Sequence, residues 1–265
     1  MREITFEELL EAGVHFGHLR SKWNPAMAPY IFKEVNGIHI IDLDKTRQKL
    51  MEAASAIKNI AKSGKKILFV ATKKQAKEIV AQKAQEVGMP YITEHWSGGM
   101  LTNFQTIRRA VKKIDLIDKM EKDGTFDKMS KKERLLLLRE KAKLEKRLGS
   151  IKDMNRIPAA IFVVDIVKEK IAVAEARKLH LPIFAMVDTN ADPRLVDFPI
   201  PANDDASESI ALIVGYITEA IKEGLEERKL EMEKKNAEKA AEKAAKEEKQ
   251  EKTAKKTPIR KSARK

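Results

Sequence analysis

The residues best suited to chemistry are aspartates that follow strongly apolar segments. Asp165 and Asp188 come directly after two such segments, and Asp192, Asp204 and Asp205 come close behind. Carboxylates at the carboxyl ends of parallel strands can hold Mg²⁺ for phosphoryl transfer. The sequence has no Walker loop and no G-x-G-x-x-G motif, and aspartates after strands also cap helices and form turns. We therefore predict no catalytic residues, and a magnesium-dependent phosphotransfer enzyme that uses Asp165 and Asp188 stays the alternative.

Histidines form the second candidate site. His15 and His18 are three residues apart, and His39 follows in a predicted hairpin. Together with a carboxylate such as Asp188 or Asp204 they can bind zinc or another divalent ion. Histidines in a packed arm are more often structural, and the chain has no cysteine to join them. We predict no metal and no other cofactor, and the sequence leaves the role of this histidine pair open.

Two short basic segments are typical of nucleic-acid binding. Arg20, Lys22 and Trp23 set two cations beside an indole, which can stack on a base or fill the core. Lys73 and Lys74 begin a predicted helix after a strand, where free backbone N–H groups and two ammonium groups favour an anion, although such lysines are also ordinary solvated residues.

A larger basic cluster spans residues 95–113. Gly98 and Gly99 allow close approach of the backbone, and Thr102 or Asn103 can cap a helix that begins at Phe104. Four cations follow on one face of that helix, without a nearby acid: Arg108, Arg109, Lys112 and Lys113. A solvated helix face usually alternates in sign, so this pattern favours phosphate contact. No RNP motif, zinc finger or helix-turn-helix pattern is present, which indicates recognition of shape and backbone.

Composition and charge fit this interpretation. The chain has 265 residues, is 43% apolar and 35% charged, has a net charge of +13 and has no cysteine, which excludes disulfides and thiolate sites. Residues 104–150 carry 15 basic and 8 acidic groups and residues 229–265 carry 14 and 7, whereas residues 151–228 carry 9 and 14. Concentrated positive charge selects a polyanion. Neither a signal peptide nor a membrane span is apparent, so we expect a cytoplasmic protein without a membrane partner or a small-molecule substrate.

Hydrophobic patterns predict an α/β body, residues 1–103 and 151–228, that begins with an irregular N-terminal arm. Strands are expected at 67–71, 160–164 and 183–187, and a hairpin pairs 30–34 with 38–42 around Asn36-Gly37. Helices are expected at 6–13, 44–62, 75–87, 168–179 and 207–228. Near-continuous apolar strands that alternate with helices predict a parallel sheet with helices on both faces.

An insertion and a tail complete the predicted domain organisation. Helices at 104–122 and 134–151 have apolar seams and are separated by Asp123-Gly124, which predicts an antiparallel coiled-coil hairpin over residues 104–150. The motif Ser130-x-x-Glu133 is a capping box for the second arm. Residues 229–265 are rich in Ala, Glu and Lys, so we expect residual helix at first and disorder beyond about Thr253.

Three long segments resemble the second protein of the bacterial small ribosomal subunit. They are LLEAGVHFGHLRSKWNPAMAPYIFKEVNGIHIIDLDKT, WSGGMLTNFQTI and FVVDIVKEKIAVAEARKLHLPIFAMVDTNADPRLVDFPIPANDDA. The resemblance covers residues 4–228. It implies a flavodoxin-like or Rossmann-like body without a nucleotide, interrupted by the coiled-coil hairpin. It also implies a structural protein that binds 16S rRNA and contacts neighbouring ribosomal proteins, including the large multi-OB-fold first protein that captures mRNA.

The resemblance also implies individual RNA contacts. It assigns them to Arg20, Lys22, Trp23, Trp96, Asn103, Arg108, Arg109, Lys112 and Lys113. This chain departs from the family where family members commonly carry P-D and D-P-R around the second apolar strand, because it reads Pro158-Ala159-Ala160 and Asp165-Ile166-Val167. Contacts at that edge of the sheet are therefore in doubt. The last 14 residues, KTAKKTPIRKSARK, hold seven cations and no acid, and this end is either an RNA-binding tail or a disordered one.

Overall fold

The computed structural model describes the backbone of residues 2–254, with their side chains except those of 127–128 and 235–254. The elements are α1 (Phe6–Glu11), β1 (Phe16–Leu19), β2 (Ile31–Val35), β3 (Ile38–Ile41), α2 (Leu43–Lys62), β4 (Ile67–Val70), α3 (Lys74–Glu86), β5 (Tyr91–Ile92), α4 (Phe104–Lys122), α5 (Lys131–Leu148), β6 (Ala160–Val164), α6 (Lys170–Lys178), β7 (Ile183–Val187), β8 (Phe198–Pro201) and α7 (Ser207–Ala254). Among the described residues, no helix is long and apolar enough to span a membrane.

A five-stranded parallel sheet forms the centre of the body. Its strand order is β5-β4-β6-β7-β8. Counted along the chain, this is the 2-1-3-4-5 order of flavodoxin-like doubly wound sheets. Every residue of β4, β6 and β7 is buried, which explains their near-continuous apolar sequences. The predicted α/β architecture with a parallel sheet is confirmed.

Helices cover both faces of this sheet. Alternate strand residues point to opposite faces, so Phe69, Phe162 and Phe184 join one core cluster with α2, α3 and α7. Leu68 and Val163 lie in the other cluster, with α6 and the bases of α4 and α5. The two clusters therefore cover the two faces of one sheet.

The N-terminal arm is more regular than the sequence predicts. The predicted hairpin is present as β2 and β3, and Asn36 and Gly37 have φ values of 52° and 78°, as a type I′ turn requires. The expectation of an irregular arm before it is wrong, because β1 pairs with β3 and two 3₁₀ helices follow. Strand β1 has no periodic signal of its own, since it completes a sheet edge that β3 offers.

Capping explains where the helix boundaries differ from the predictions. Asp42 is the N-cap of α2 and starts the helix at Leu43, one residue before the predicted start, since its carboxylate accepts the N–H groups of Asp44 and Lys45. The predicted capping box of Ser130 and Glu133 is confirmed, and it starts α5 at Lys131, three residues before the predicted start.

Helices α4 and α5 contact each other and form the insertion. Lys113 pairs with Glu140, and Lys141 with Asp118 at 2.6 Å. Arg134, near the start of α5, donates to the carbonyl of Phe126 just after α4. The helical insertion thus packs on itself, whereas its coiled-coil geometry stays a prediction.

Helix α7 is longer than predicted. It runs for 48 residues, from Ser207 to Ala254, and does not end at Arg228. Its Ala-, Glu- and Lys-rich second half has high helix propensity, which explains the continuation. The helix expected at the start of residues 229–265 is present as far as Ala254, and the disorder expected beyond about Thr253 falls on residues 255–265, which lie outside the described part of the chain.

Candidate nucleic-acid interface

A loop between β5 and α4, residues 96–103, is held by a single carboxylate. Glu175, on α6, accepts five hydrogen bonds. The donors are the Trp96 indole at 3.1 Å, the Gly99 amide at 2.7 Å, the Leu101 amide at 2.9 Å, the Thr102 amide at 3.0 Å and the Thr102 hydroxyl at 3.1 Å. These bonds fix the loop and the start of α4 against the sheet.

The same network sets the ionisation of Glu175. Burial raises the pKa of this carboxyl, but the backbone N–H groups of Thr102 and Leu101 and the indole of Trp96 outweigh it and lower the pKa below the ordinary value. Trp96 is only 4% exposed. The resemblance assigned it to RNA, whereas the structure places its ring in the core with its N–H bonded to Glu175. Trp96 therefore supports the loop from below.

Of the four predicted cations of α4, two are exposed and unpaired among the described residues. Arg109 and Lys112 are exposed, and neither forms an ion pair with any described residue. Arg108 differs, because it donates to the carbonyl of Lys152 at 3.1 Å and to the amide oxygen of Asn155. Lys113 is engaged by Glu140. Arg108 and Lys113 therefore bond to other parts of the protein. Arg109 and Lys112 are available to a ligand.

The start of α4 carries the remaining predicted contact of this region. Asn103 is exposed, and its side-chain oxygen accepts the hydroxyl of Thr106 at 2.9 Å. Asn103 is the N-cap residue of α4, but its side chain accepts no backbone N–H of the helix. The Thr102 hydroxyl donates to Glu175 and does not cap the helix either, so the prediction of a side-chain cap is wrong. The first turn of α4 has no acid, which leaves a positive helix end beside Arg109.

The basic residues of the arm lie on the surface. Lys22 is exposed. Arg20 is also exposed and forms an ion pair with Glu34 at 3.2 Å. Trp23 is half-buried, with its ring 5.0 Å from that of His39. One face of the indole thus packs on the protein, and the arm can still present cations to a polyanion.

The two neighbouring lysines at the start of α3 have different environments. Lys74 is exposed. The Lys73 ammonium instead contacts Asp165 at 3.2 Å, Asp204 at 2.5 Å and Asp205 at 2.8 Å. Burial opposes its charge, but Asp204 and the other carboxylates raise the pKa of Lys73 above its ordinary value. Lys73 is therefore an internal counterion, and the prediction that it contacts phosphate does not fit its position.

The position of Lys73 also bears on the alternative of a magnesium site among the aspartates. Asp165, Asp188 and Asp204 do gather at the carboxyl edge of the sheet, as the topology requires, but the cation among them is an ammonium group. Asp165 has a left-handed φ of 67°, and its carboxylate accepts the N–H groups of Val167 and Lys168. The cluster holds the strand ends and loops together, and it offers no free pair of carboxylates for magnesium.

The histidines are likewise structural. His18 contacts Asp188 at 3.0 Å and Asp205 at 3.5 Å. A hydrogen bond to Asp188 raises the pKa of His18, against the opposing effect of burial. The rings of His15 and Phe16 are in contact at a tilt of 38°, and His39 packs on Trp23. No group of three or more His, Cys, Asp or Glu among residues 2–254 with described side chains has the arrangement of a metal site.

Sequence reasoning missed Glu175 and the pairing of Lys73. Glu175 is one acid on a short amphipathic helix, and nothing in its local pattern separates it from solvated glutamates. Its role follows from the tertiary contact with residues 96–102, which are more than 70 positions away. The predicted residues that are exposed are Arg20, Lys22, Lys74, Asn103, Arg109, Lys112 and Lys113.

Comparison with known proteins identifies the family. The model of the family described as ribosomal protein S2 matches residues 9–224. A protein of Porphyromonas gingivalis named small ribosomal subunit protein uS2 is 66% identical over 221 residues, which are 83% of this chain and 79% of that protein. Proteins of the same name are 67% identical in Flavobacterium johnsoniae, over 83% of this chain and 86% of theirs, and 65% identical in Azobacteroides pseudotrichonymphae, over 83% and 84%. The chain belongs to the ribosomal protein S2 family.

Proposed function

We propose that this chain is a structural, non-enzymatic constituent of the small ribosomal subunit that binds 16S rRNA. The family and the names of its relatives support this function, since each compared relative is named as a small ribosomal subunit protein. The charge distribution fits it, because residues 104–150 hold 15 basic and 8 acidic groups. The protein then acts in the cytoplasm as part of the ribosome.

One observation carries the RNA-binding part of the proposal. Arg109 and Lys112 stand three residues apart on α4, exposed and without a described ion-pair partner. By contrast, Lys141 on α5 is paired with Asp118 and Glu121. A pair left free beside a helix N-terminus is suited to phosphate, since RNA binding releases counterions from the backbone.

The arm and α3 extend this proposed contact surface. Lys22 and Lys74 contribute further exposed cations, and Arg20 joins if RNA displaces Glu34. These groups recognise the charge and shape of the RNA backbone. The antiparallel coiled coil of α4 and α5 and a basic end at residues 255–265 belong to the same proposal.

Neighbouring ribosomal proteins are the second class of proposed partner, including the large multi-OB-fold first protein. An apolar groove lies between α1 and the β2–β3 hairpin, lined in part by the exposed side chains of Phe6, Leu10, Phe32 and Val35. Residues 151–228 carry an acidic excess. Both features suit protein contacts better than contacts with phosphate.

A charge-reversal pair tests the proposal. In the double variant Arg109→Glu, Lys112→Glu, we expect normal folding and a loss of about tenfold or more in affinity for small subunits, because two phosphate contacts become repulsive. The matched control is Lys170→Glu, Lys178→Glu, which changes the same charge at two exposed lysines of α6. The measurement is co-sedimentation with salt-washed small subunits over a salt series. Equal binding of both double variants and the wild type would contradict the assignment to α4.

A further inference from the structure

Gly98 is a glycine that the fold itself does not require. Of the eleven glycines in the chain, Gly13, Gly37, Gly64, Gly88, Gly99 and Gly124 have positive φ, where side chains are strained. Gly17 and Gly224 pack so closely that a Cβ atom would lie within 2.6 Å of a neighbour, against Thr189 and the Lys58 carbonyl. A Cβ atom at Gly149 or Gly215 would also have no heavy atom within 4 Å, but these two glycines are half-buried and lie in helical segments.

Gly98 has none of these reasons. It is exposed, its φ lies outside the left-handed region, and a Cβ atom built there would have no heavy atom within 4 Å. A side chain at this position would therefore meet only solvent in the free protein. Glycine at an exposed, unstrained loop position is explained when another molecule must approach the backbone closely.

The loop around Gly98 is rigidly positioned. Its neighbour Gly99 donates its amide N–H to Glu175 at 2.7 Å, and Leu101 and Thr102 donate to the other oxygen of the same carboxylate. Trp96 anchors the opposite end of the loop in the core. A surface held by five hydrogen bonds is preorganised, so a ligand that docks on it loses little free energy in ordering the loop.

The charges near Gly98 indicate what the ligand is. The loop leads into the acid-free first turn of α4, and the exposed Arg109 and Lys112 follow on that helix. The Glu175 carboxylate is buried, where it accepts five hydrogen bonds. The exposed charges Arg109 and Lys112 are positive, and a polyanionic backbone fits them better than a protein strand does.

We infer that the loop of residues 97–103 is a preformed docking surface for the sugar–phosphate backbone of RNA, and that Gly98 is its point of closest approach. This inference rests on the proposed function and adds to it the residue and the mode of contact. The Gly98 backbone lies against the ribose–phosphate chain, while Arg109 and Lys112 bind flanking phosphates. The contact is steric and electrostatic, and it does not select a base.

Graded substitution at Gly98 tests the inference. The ligand is salt-washed small subunits that lack this protein, and the variants are full-length Gly98→Ala and Gly98→Gln, both neutral. We expect wild-type unfolding midpoints, an affinity lowered a few-fold by Ala and about tenfold or more by Gln, because the larger side chain holds the RNA backbone farther from the loop. Gly215→Ala is the matched control, since its Cβ also meets open space, and it should bind like the wild type.

Hydroxyl-radical footprinting of the 16S rRNA identifies the contacted molecule. At saturating concentrations, Gly98→Gln should lose a local subset of the wild-type rRNA protections and keep the others. Wild-type affinity of Gly98→Gln overturns the inference alone. Weaker binding with every rRNA protection intact also overturns it, because the loop would then contact a protein. Failure of the wild type to rebind overturns the proposed function and this inference with it.

Discussion

The carboxylate of Glu175 accepts the indole N–H of Trp96 at 3.1 Å, which joins α6 to a loop 79 positions earlier in the chain. The same carboxylate accepts the N–H groups of Gly99, Leu101 and Thr102. The shape of the proposed RNA-facing loop is therefore determined by a buried carboxylate of a different element, α6, which packs in the same core cluster as the loop.

We expect Glu175→Gln to destabilise the protein by about 2–3 kcal/mol, since an amide replaces one acceptor oxygen with a donor and leaves buried N–H groups unpaired. Urea unfolding measures the change in unfolding free energy, and tryptophan fluorescence in a Trp23→Phe background reports the environment of Trp96, the other tryptophan of the chain. Glu226→Gln on the exposed side of α7 is the control and should be neutral. An unchanged unfolding free energy for Glu175→Gln would show that the network contributes little.

The acid dependence of stability should involve the same residue. The pKa of Glu175 in the folded state lies below its ordinary value of 4.5, so its stabilising contribution is present above that value and is lost as the pH falls through the folded pKa. Glu175→Gln should therefore lose less stability than the wild type between about pH 6 and about pH 3.5. Parallel stability curves for the two proteins would contradict this expectation.

Lys73 and Lys74 provide a comparison between adjacent residues of one type. Lys73→Met should destabilise the protein by about 3–5 kcal/mol, because it leaves a buried acidic cluster without its counterion. Lys74→Met should leave unfolding unchanged, since that side chain is exposed, and should weaken subunit binding. Adding Asp204→Asn to Lys73→Met should restore part of the lost stability, as measured in a double-mutant cycle. Additive effects of these two substitutions would argue against the direct pairing at 2.5 Å.

His18 should make the attachment of the arm depend on pH. The hydrogen bond to Asp188 raises the pKa of His18 above 6.5, and Asp204 and Asp205 act in the same direction while burial opposes them. A raised folded pKa means that the stabilisation is complete below about pH 6.5 and is lost as the pH rises through the folded value.

Unfolding free energies over a pH series test this expectation. The wild type should lose stability between about pH 6.5 and about pH 8.5, and His18→Gln should lose less over the same range. Asp188→Asn should move the NMR titration midpoint of His18 downward. A midpoint that stays in place would show that Asp188 does not stabilise the imidazolium.

Arg108 and Arg109 should separate stability from binding. Arg108→Ala removes hydrogen bonds to the Lys152 carbonyl and to Asn155, so it should destabilise the protein by about 1–3 kcal/mol. Arg109→Ala should leave stability unchanged and reduce the slope of log affinity for subunits against log salt by about one. The same binding defect in both variants, without a difference in stability, would argue against this division.

Regular elements were predictable where the local pattern was strong. The strands 160–164 and 183–187 and the helix 104–122 have the predicted bounds, because continuous apolar runs and sharp turn residues determine them. Strand β5 has two residues and β8 contains two prolines, so neither has a periodic signal. These strands exist because neighbouring strands offer them hydrogen-bonding edges.

The candidate site was predictable only in its exposed part. The spacing predicts four cations on one face of α4, but it does not separate the unpaired Arg109 and Lys112 from the two that bond to other parts of the protein, Arg108 and Lys113. The side chains of Lys73 and Trp96 point inward because of tertiary contacts. Their partners, Asp204 for Lys73 and Glu175 for Trp96, lie far along the chain. Local sequence cannot distinguish such a lysine or tryptophan from one that faces a ligand.

Helix α7 continues without interruption beyond its last described ion pair with α2. Among the described side chains, the ion pair of Lys62 with Glu231 is the most C-terminal one that ties α7 to α2. At 1.5 Å per residue, the helical residues 232–254 extend for about 35 Å past that attachment. The helix is thus a spacer comparable in length to the diameter of a small domain.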